Sequence, residues 1–160
     1  MEKKKIIGIM GPGSGATEND LKAAFKIGEI VAEKGFYVLT GGRASGVMEA
    51  AMKGSKSGGG TTIGILPSED GKDLSDFVEI PIKTGMGSAR NNINVLTADI
   101  IIGIGIGPGT ASEIALAIKA EKKVLLINQR DDAIGFFKSF GHNKLFILQN
   151  TEEITDHLDT

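Results

Sequence analysis

Residues 100–120 read IIIGIGIGPGTASEIALAIKA, and this stretch decides the fold. Its first five residues are isoleucine or glycine, which is typical of a strand that is buried on both faces of a parallel sheet. Glycine-rich residues 105–109 then predict a turn, and residues 111–120 have the apolar spacing of a helix. A strand, a glycine loop and a helix in this order indicate an α/β fold.

The same order recurs along the whole chain. The sequence predicts strands over 6–10, 36–40, 62–66, 78–82, 100–104, 124–127 and 145–148, and helices from Thr17 to before Gly35 and over 47–56, 88–97, 111–120, 133–139 and 152–158. Thr17 and Asp20 predict a capping box, and residues 68–76 predict an acidic surface loop. Repeated strand–helix units imply one Rossmann-like domain over residues 1–160, a doubly wound parallel sheet with helices on both faces. The strand order stays open.

Composition limits the class of protein. A chain of 160 residues with 41% hydrophobic and 24% charged residues is typical of one globular domain, and its net charge of −2 indicates neither nucleic acid nor membrane as a partner. Without cysteine, a disulfide, a thiolate metal site and a cysteine nucleophile are excluded. Neither His142 nor His157 has partners at metal spacing, so no metal ligand is assigned. Because residues 1–5 lead directly into a strand and no apolar run could span a bilayer, we expect a cytoplasmic protein.

Three glycine-rich loops, residues 11–15, 41–46 and 105–110, each follow a predicted strand and precede a predicted helix. In a doubly wound sheet such loops gather at the carboxyl ends of the strands, where ligands bind. Glycine lets the backbone approach a ligand, and the helix N-terminus behind each loop offers free N–H groups. The loops therefore predict one crevice for a phosphate-bearing ligand; the alternative is three tight turns without a ligand.

The loops do not match the usual nucleotide sites. The first reads GxGxG where a dinucleotide site has GxGxxG, and residues 40–43 (TGGR) stand where a ribose-binding acid is expected. The chain also lacks the GxxxxGK[ST] pattern of a P-loop. A dinucleotide therefore fits poorly.

Arginine and glutamate side chains beside the loops are the candidate chemical groups. Of the three arginines, Arg43 and Arg90 adjoin the loops, whereas Arg130 is expected at the surface. A guanidinium group suits bidentate phosphate binding; a surface salt bridge is the alternative for each. Glu113 lies in the first turn of the helix after the third loop. It acts either as a base or hydroxyl acceptor, or only stabilises the helix N-terminus.

The chain resembles the lysine-decarboxylase-like, or LOG, superfamily. Residues 40–48 (TGGRASGVM), 58–59 (GG) and 63–67 (IGILP) are similar to its GGGxxGLM…GG…IGVIP pattern. Residues 105–113 (GIGPGTASE) are similar to its PGGxGTxxE signature. The resemblance implies hydrolysis of nucleoside 5′-monophosphates of the cytokinin riboside type. It does not imply lysine decarboxylation.

The resemblance extends to the two catalytic residues of the superfamily. Arg90 and Glu113 fall on the arginine and the final glutamate of the superfamily, and would be the catalytic residues of a hydrolase. The chain departs from the pattern at residues 105–106, which replace a Pro-Gly pair, and at Asn91, which replaces a lysine. These departures put the hydrolase function in doubt.

The chain resembles one branch more closely, the molybdenum cofactor carrier proteins of algae and cyanobacteria. Residues 6–13 (IIGIMGPG), 39–43 (LTGGR), 85–94 (GMGSARNNIN) and 107–113 (GPGTASE) carry this likeness, which extends over about residues 5–127. It implies a protein without catalytic residues that holds the finished cofactor and protects it until transfer. Cofactor-synthesis proteins and molybdoenzyme apoproteins are the implied partners.

The resemblance also implies a homo-oligomer. Small residues on the predicted helices, among them Ala50, Ala51, Ala115 and Ala117, permit close helix packing and favour a homodimer or homotetramer.

The predicted ligand-binding residues combine the three loops with the side chains beside them. They are Gly11, Gly13, Ser14, Thr40, Gly41, Gly42, Arg43, Ser45, Met48, Ser88, Arg90, Asn91, Gly107, Pro108, Gly109, Thr110 and Glu113. We expect Arg90, Ser88, Asn91 and the loop amides to bind the anionic end of the cofactor, and Glu113 to orient its ring.

Overall fold

Strands and helices alternate along the chain in the computed structural model, which describes residues 3–140 and 143–159. The strands are β1 (Ile6–Met10), β2 (Tyr37–Thr40), β3 (Thr62–Leu66), β4 (Ile80–Lys83), β5 (Ile100–Ile104), β6 (Lys123–Ile127) and β7 (Leu145–Ile147). The helices are α1 (Glu18–Glu33), α2 (Gly46–Ser57), α3 (Arg90–Thr97), α4 (Pro108–Lys119), α5 (Asp131–Lys138) and α6 (Thr155–Leu158). Short 3-10 turns precede α3 and α6. Within the described ranges, no helix is long and apolar enough to cross a membrane.

The strands form one parallel sheet in the order β4-β3-β2-β1-β5-β6-β7. One core packs α1, α2 and α6 on one face of the sheet, and a second core packs α3, α4 and α5 on the other. The predicted doubly wound fold is therefore confirmed. Strand order reverses direction between β1 and β5, and a crevice opens at such a switch point.

The start of α1 is built as predicted. The Asp20 amide donates to Thr17 Oγ1 at 3.1 Å, and the Thr17 amide donates to an Asp20 carboxylate oxygen at 2.9 Å. This capping box satisfies two donors that a helix end leaves free. Gly35, with φ of +77°, follows the end of the helix.

Small residues bring α1 and α2 into close contact. A Cβ atom added at Gly28 would lie 2.1 Å from the backbone oxygen of Ala51, and one added at Gly54 would lie 1.9 Å from a backbone oxygen of α1. Ala51 and Ala117 are fully buried within the chain. The close packing of these two alanines lies inside one chain, and the homo-oligomer stays a prediction.

Candidate functional site

A cavity of about 650 Å³ lies at the switch point, at the carboxyl ends of β1 and β5. All three glycine-rich loops contribute to its wall. Fourteen of the seventeen predicted residues line it: Gly11, Gly13, Ser14, Gly41, Arg43, Met48, Ser88, Arg90, Asn91, Gly107, Pro108, Gly109, Thr110 and Glu113. The structure thus brings most of the predicted residues together; that they bind a ligand stays a prediction.

Three predicted residues do not line the cavity and instead shape the second loop. Thr40 is fully buried, donates to Met52 Sδ at 3.3 Å and accepts from the Gly42 amide at 3.0 Å. Gly42 has φ of +78° and packs against Gly64. Ser45 is the N-cap of α2. None of the three belongs to the cavity wall, and their direct contact with the ligand stays a prediction.

The predicted binding residues leave out seven residues of the wall. These are Ile9, Met10, Pro12, Gly15, Pro67, Gly87 and Ile106. Three of them (Pro12, Gly15 and Ile106) lie within the loops that predicted the crevice, and for Met10 and Gly87 the one signal is a predicted neighbour in the chain. Pro67 is different, because it follows β3 and reaches the cavity only through the fold.

The glycines of the loops differ in the space beside their Cα atoms. A Cβ atom added at Gly11 would lie 2.6 Å from the backbone oxygen of Ile104, and one added at Gly41 would lie 2.8 Å from Arg90 Nη2. Contact with backbone therefore requires glycine at position 11, whereas at position 41 the neighbouring atoms are the ends of the flexible Arg90 and Met48 side chains. Gly109 has no atom within 4 Å of its added Cβ position, so the backbone at the start of α4 is open to a ligand.

Arg90 presents a partly buried cation in the wall of the cavity. Its Nη1 donates to the Asn91 side-chain oxygen, and its buried Nε has no hydrogen-bond partner among the described residues. Burial lowers the pKa of Arg90; nearby Glu113 raises it and Arg43 lowers it further. An arginine nevertheless stays charged near neutral pH. The wall of the cavity therefore carries a positive charge.

Glu113 is a buried carboxyl group close to this cation. It is 8% exposed and accepts a hydrogen bond from the Asn94 side-chain nitrogen at 2.9 Å. Burial raises the pKa of Glu113 to about 7, against the opposing effects of Asn94 and Arg90. The group therefore exchanges a proton near neutral pH. One turn earlier, the buried hydroxyl of Thr110 has no partner in the described part of the chain.

Arg43 lies at the exposed side of the cavity. Its Nη2 is 3.7 Å from Asp73 Oδ2, and the two side chains are 46% and 53% exposed. The acidic loop 68–76 is attached here, because the Ala44 amide donates to the Asp73 carbonyl at 2.7 Å. Arg130 pairs with Asp132 at 2.8 Å at the surface, as expected.

Metal-binding side chains do not cluster in the described ranges. Within 3–140 and 143–159, no group of three or more His, Asp or Glu side chains could hold a metal ion. His142 lies outside those ranges.

Comparison with known proteins gives consistent results. Residues 4–155 match the SLOG cluster4 family. The molybdenum cofactor binding protein from the phototrophic bacterium Rippkaea orientalis is 46% identical with a TM-score of 0.95, over 99% of this chain and 98% of its own. The Moco carrier protein from Chlamydomonas reinhardtii is 45% identical with a TM-score of 0.92, over 98% and 96%. An uncharacterized protein from Archaeoglobus fulgidus is 48% identical over 119 residues, which are 74% of this chain and 76% of that protein.

Proposed function

The chain belongs to the SLOG cluster4 family, and from this premise we propose that it binds the molybdenum cofactor and carries it in protected form until transfer. The observation that carries the proposal is the cavity at the switch point, whose wall contains both the partly buried guanidinium group of Arg90 and the open start of α4. The relatives from R. orientalis and C. reinhardtii, which match nearly end to end, are named for binding and carrying this cofactor.

The cavity suits the chemistry of a pterin that carries a terminal phosphate. Its volume of about 650 Å³ is ordinary for a small-molecule site. The backbone N–H groups of Gly109 and Thr110, in the first turn of α4, are free to bind an anion because no earlier turn accepts them. Arg90 Nη2, beside Gly41 in the cavity wall, is a further donor. Because the chain has no cysteine, it offers no thiolate to the molybdenum, which suits reversible carriage.

Each polar group has one role in this proposal. Arg90, with the α4 amides and Ser88 at the exposed rim, binds the anionic end of the cofactor. Glu113 lies on the inner side and orients the ring. Neither group breaks a bond of the ligand in the carrier function.

Anaerobic purification followed by mass spectrometry of the released ligand tests the proposal. We expect the mass of the cofactor or its oxidised derivative, together with molybdenum bound to the protein. An Arg90→Ala variant purified in the same way should retain much less of both. A nucleotide in place of the pterin would overturn the proposal.

A nucleoside 5′-monophosphate phosphoribohydrolase is the second candidate, and the properties of Glu113 favour it. A carboxyl group with a pKa of about 7 beside Arg90 is suited to general acid–base catalysis. Incubation with several nucleoside monophosphates should release no free base if the protein is only a carrier. Release by the wild type that Glu113→Ala abolishes would replace the carrier function with this one.

Assembly, partners and location belong to the same proposal. We infer a homodimer or homotetramer in the cytoplasm that exchanges the cofactor with synthesis proteins and molybdoenzyme apoproteins. Light scattering should give a mass that is a multiple of the 16.8 kDa chain. A monomer at micromolar concentration would contradict the assembly.

A further inference from the structure

The side chain of Asn91, predicted to contact the ligand, is engaged by the protein at both ends. Asn91 is only 7% exposed. Its oxygen accepts from Arg90 Nη1, and its nitrogen donates to Ser112 Oγ at 2.9 Å. Ser112 in turn donates to the Gly109 carbonyl at 2.7 Å. These three hydrogen bonds connect the start of α3 to the first turn of α4.

The donor and acceptor groups fix the direction of each of these three hydrogen bonds. A guanidinium group has only donors, so the amide oxygen of Asn91 must face Arg90 and the amide nitrogen must face Ser112. Ser112 Oγ then accepts from Asn91, and its own proton is directed to the Gly109 carbonyl. The alternative flip of the amide would place two donors against each other, and the orientation is therefore determined.

The same contacts leave one nitrogen of the Arg90 guanidinium for the cavity. Nη1 is engaged by Asn91, Nε is buried without a partner among the described residues, and Nη2 lies beside Gly41 in the cavity wall. The two N–H groups of Nη2 can donate to oxygen atoms of one phosphate. Occupying Nη1 prevents the guanidinium from turning Nη2 away from the cavity.

We propose that Asn91 is a positioning residue rather than a ligand contact: it fixes the Arg90 guanidinium, with Nη2 at the cavity, in the wall that also contains the N-terminus of α4, so that both bind one anionic group. This inference rests on the proposed role of Arg90 in binding the phosphate of the cofactor. The neutral amide holds the guanidinium without cancelling its charge. An aspartate at this position would form an ion pair with Arg90, and a lysine could not accept its hydrogen bond.

A double-mutant cycle separates positioning from contact. Asn91→Leu and Ser112→Ala are made in the wild type and in Arg90→Ala, and binding of the molybdenum cofactor is titrated anaerobically. In the wild type we expect losses of about tenfold for Asn91→Leu and about threefold for Ser112→Ala, the sizes that follow from losing one or part of one hydrogen bond. In Arg90→Ala both losses should disappear, because neither residue acts except through Arg90. The matched control is Asn92→Leu, at the adjacent exposed position of α3, which should bind as the wild type does.

Nitrogen-15 NMR of the arginine side chains provides a readout that does not need a ligand. In the wild type, Arg90 should show slowed rotation of its Nη groups, and Asn91→Leu should abolish the slowing. Ser112 is exposed, so Ser112→Ala carries the test if Asn91→Leu does not fold.

Different outcomes overturn different claims. Equal losses from Asn91→Leu with and without Arg90 would mean that Asn91 contacts the ligand, and an unchanged Arg90 spectrum in Asn91→Leu would mean that it holds nothing; either result rejects the positioning role. If Arg90→Ala binds the cofactor as tightly as the wild type while the spectrum responds as expected, the positioning stands and the proposed anion site of Arg90 fails.

Discussion

Two arginines in this protein each face a carboxyl group, and the two pairs differ in burial. Arg43 and Asp73 are both about half exposed and 3.7 Å apart, whereas Arg90 lies near Glu113, which is 8% exposed. Water screens the first pair, and exposed pairs of this kind contribute at most about 1 kcal/mol. The second pair is largely removed from water, so each group changes the pKa of the other. Arginines with the same position beside a glycine loop therefore differ in electrostatic environment because of their depth.

Glutamine in place of Glu113 should have the largest effect, on stability. Burial raises the pKa of Glu113 from an ordinary 4.5 to about 7, so the folded protein binds this proton more tightly than the unfolded chain does. The stability from this group is complete below pH 4.5, falls as the pH rises to 7, and is lost above it. The loss is at most about 3.5 kcal/mol, at about 1.4 kcal/mol for each pKa unit. Glu113→Gln cannot ionise and should show no such fall.

Urea denaturation of the wild type and Glu113→Gln at several values between about pH 5 and 8 measures this difference. The variant should be the more stable protein at the upper end of the range. Parallel pH profiles for the two proteins would show that Glu113 does not hold its proton in the folded state.

Removal of the two arginines compares the pairs directly. Arg90→Ala should weaken cofactor binding by about 10- to 100-fold, because a charge-assisted hydrogen bond contributes about 1.5–3 kcal/mol. Arg43→Ala should weaken it by less than about threefold, because solvent and Asp73 already screen its charge. Anaerobic titration of both variants gives the ratio, and similar losses would abolish the distinction drawn from burial.

Lysine at position 90 tests whether shape matters as well as charge. Arg90→Lys keeps the positive charge but lacks the planar fork. We expect it to recover only part of the affinity that Arg90→Ala loses. Full recovery in the same titration would mean that the site needs only a point charge.

Neutralising Asp73 should have the smallest effect. Asp73→Asn removes the exposed ion pair with Arg43, and asparagine tolerates the φ of +64° found at this position. The free energy of unfolding should change by no more than about 0.5 kcal/mol, with affinity for the cofactor unchanged or raised up to about twofold. A loss of stability well above this in thermal unfolding would show that the pair is stronger than its exposure implies.

Much of the fold is predictable from local pattern. The predicted bounds of β1, β3 and β5 agree with the structure, because apolar runs bounded by glycine or proline leave little choice. The predicted bounds differ from the structure where the end of an element depends on packing. Helix α4 begins at Pro108 rather than at residue 111, and the predicted helix over 152–158 is a 3-10 turn followed by α6. Strand order could not be read from the sequence, since it depends on which helix packs on which face.

The candidate site was predictable as a set of loops but not as a set of contacts. Proximity in the chain placed Thr40 and Gly42 with the ligand, yet Thr40 accepts a hydrogen bond from the Gly42 amide and Gly42 packs against Gly64. The same proximity placed the amide of Asn91 on the ligand, although Arg90 and Ser112 engage it. A sequence identifies the residue, and only the fold shows which way its polar atoms point.

The sequence by itself determined that strands, glycine loops and helices alternate, and that Arg43, Arg90 and Glu113 adjoin the loops, because these facts depend on neighbours a few residues apart. The tertiary structure decided that β1 and β5 are adjacent, that one arginine is partly buried while the other is exposed, and that a carboxyl group near the first has a pKa of about 7. Strand adjacency and burial are decided by elements that are distant in the chain. The pKa then follows from how much water each group loses on burial.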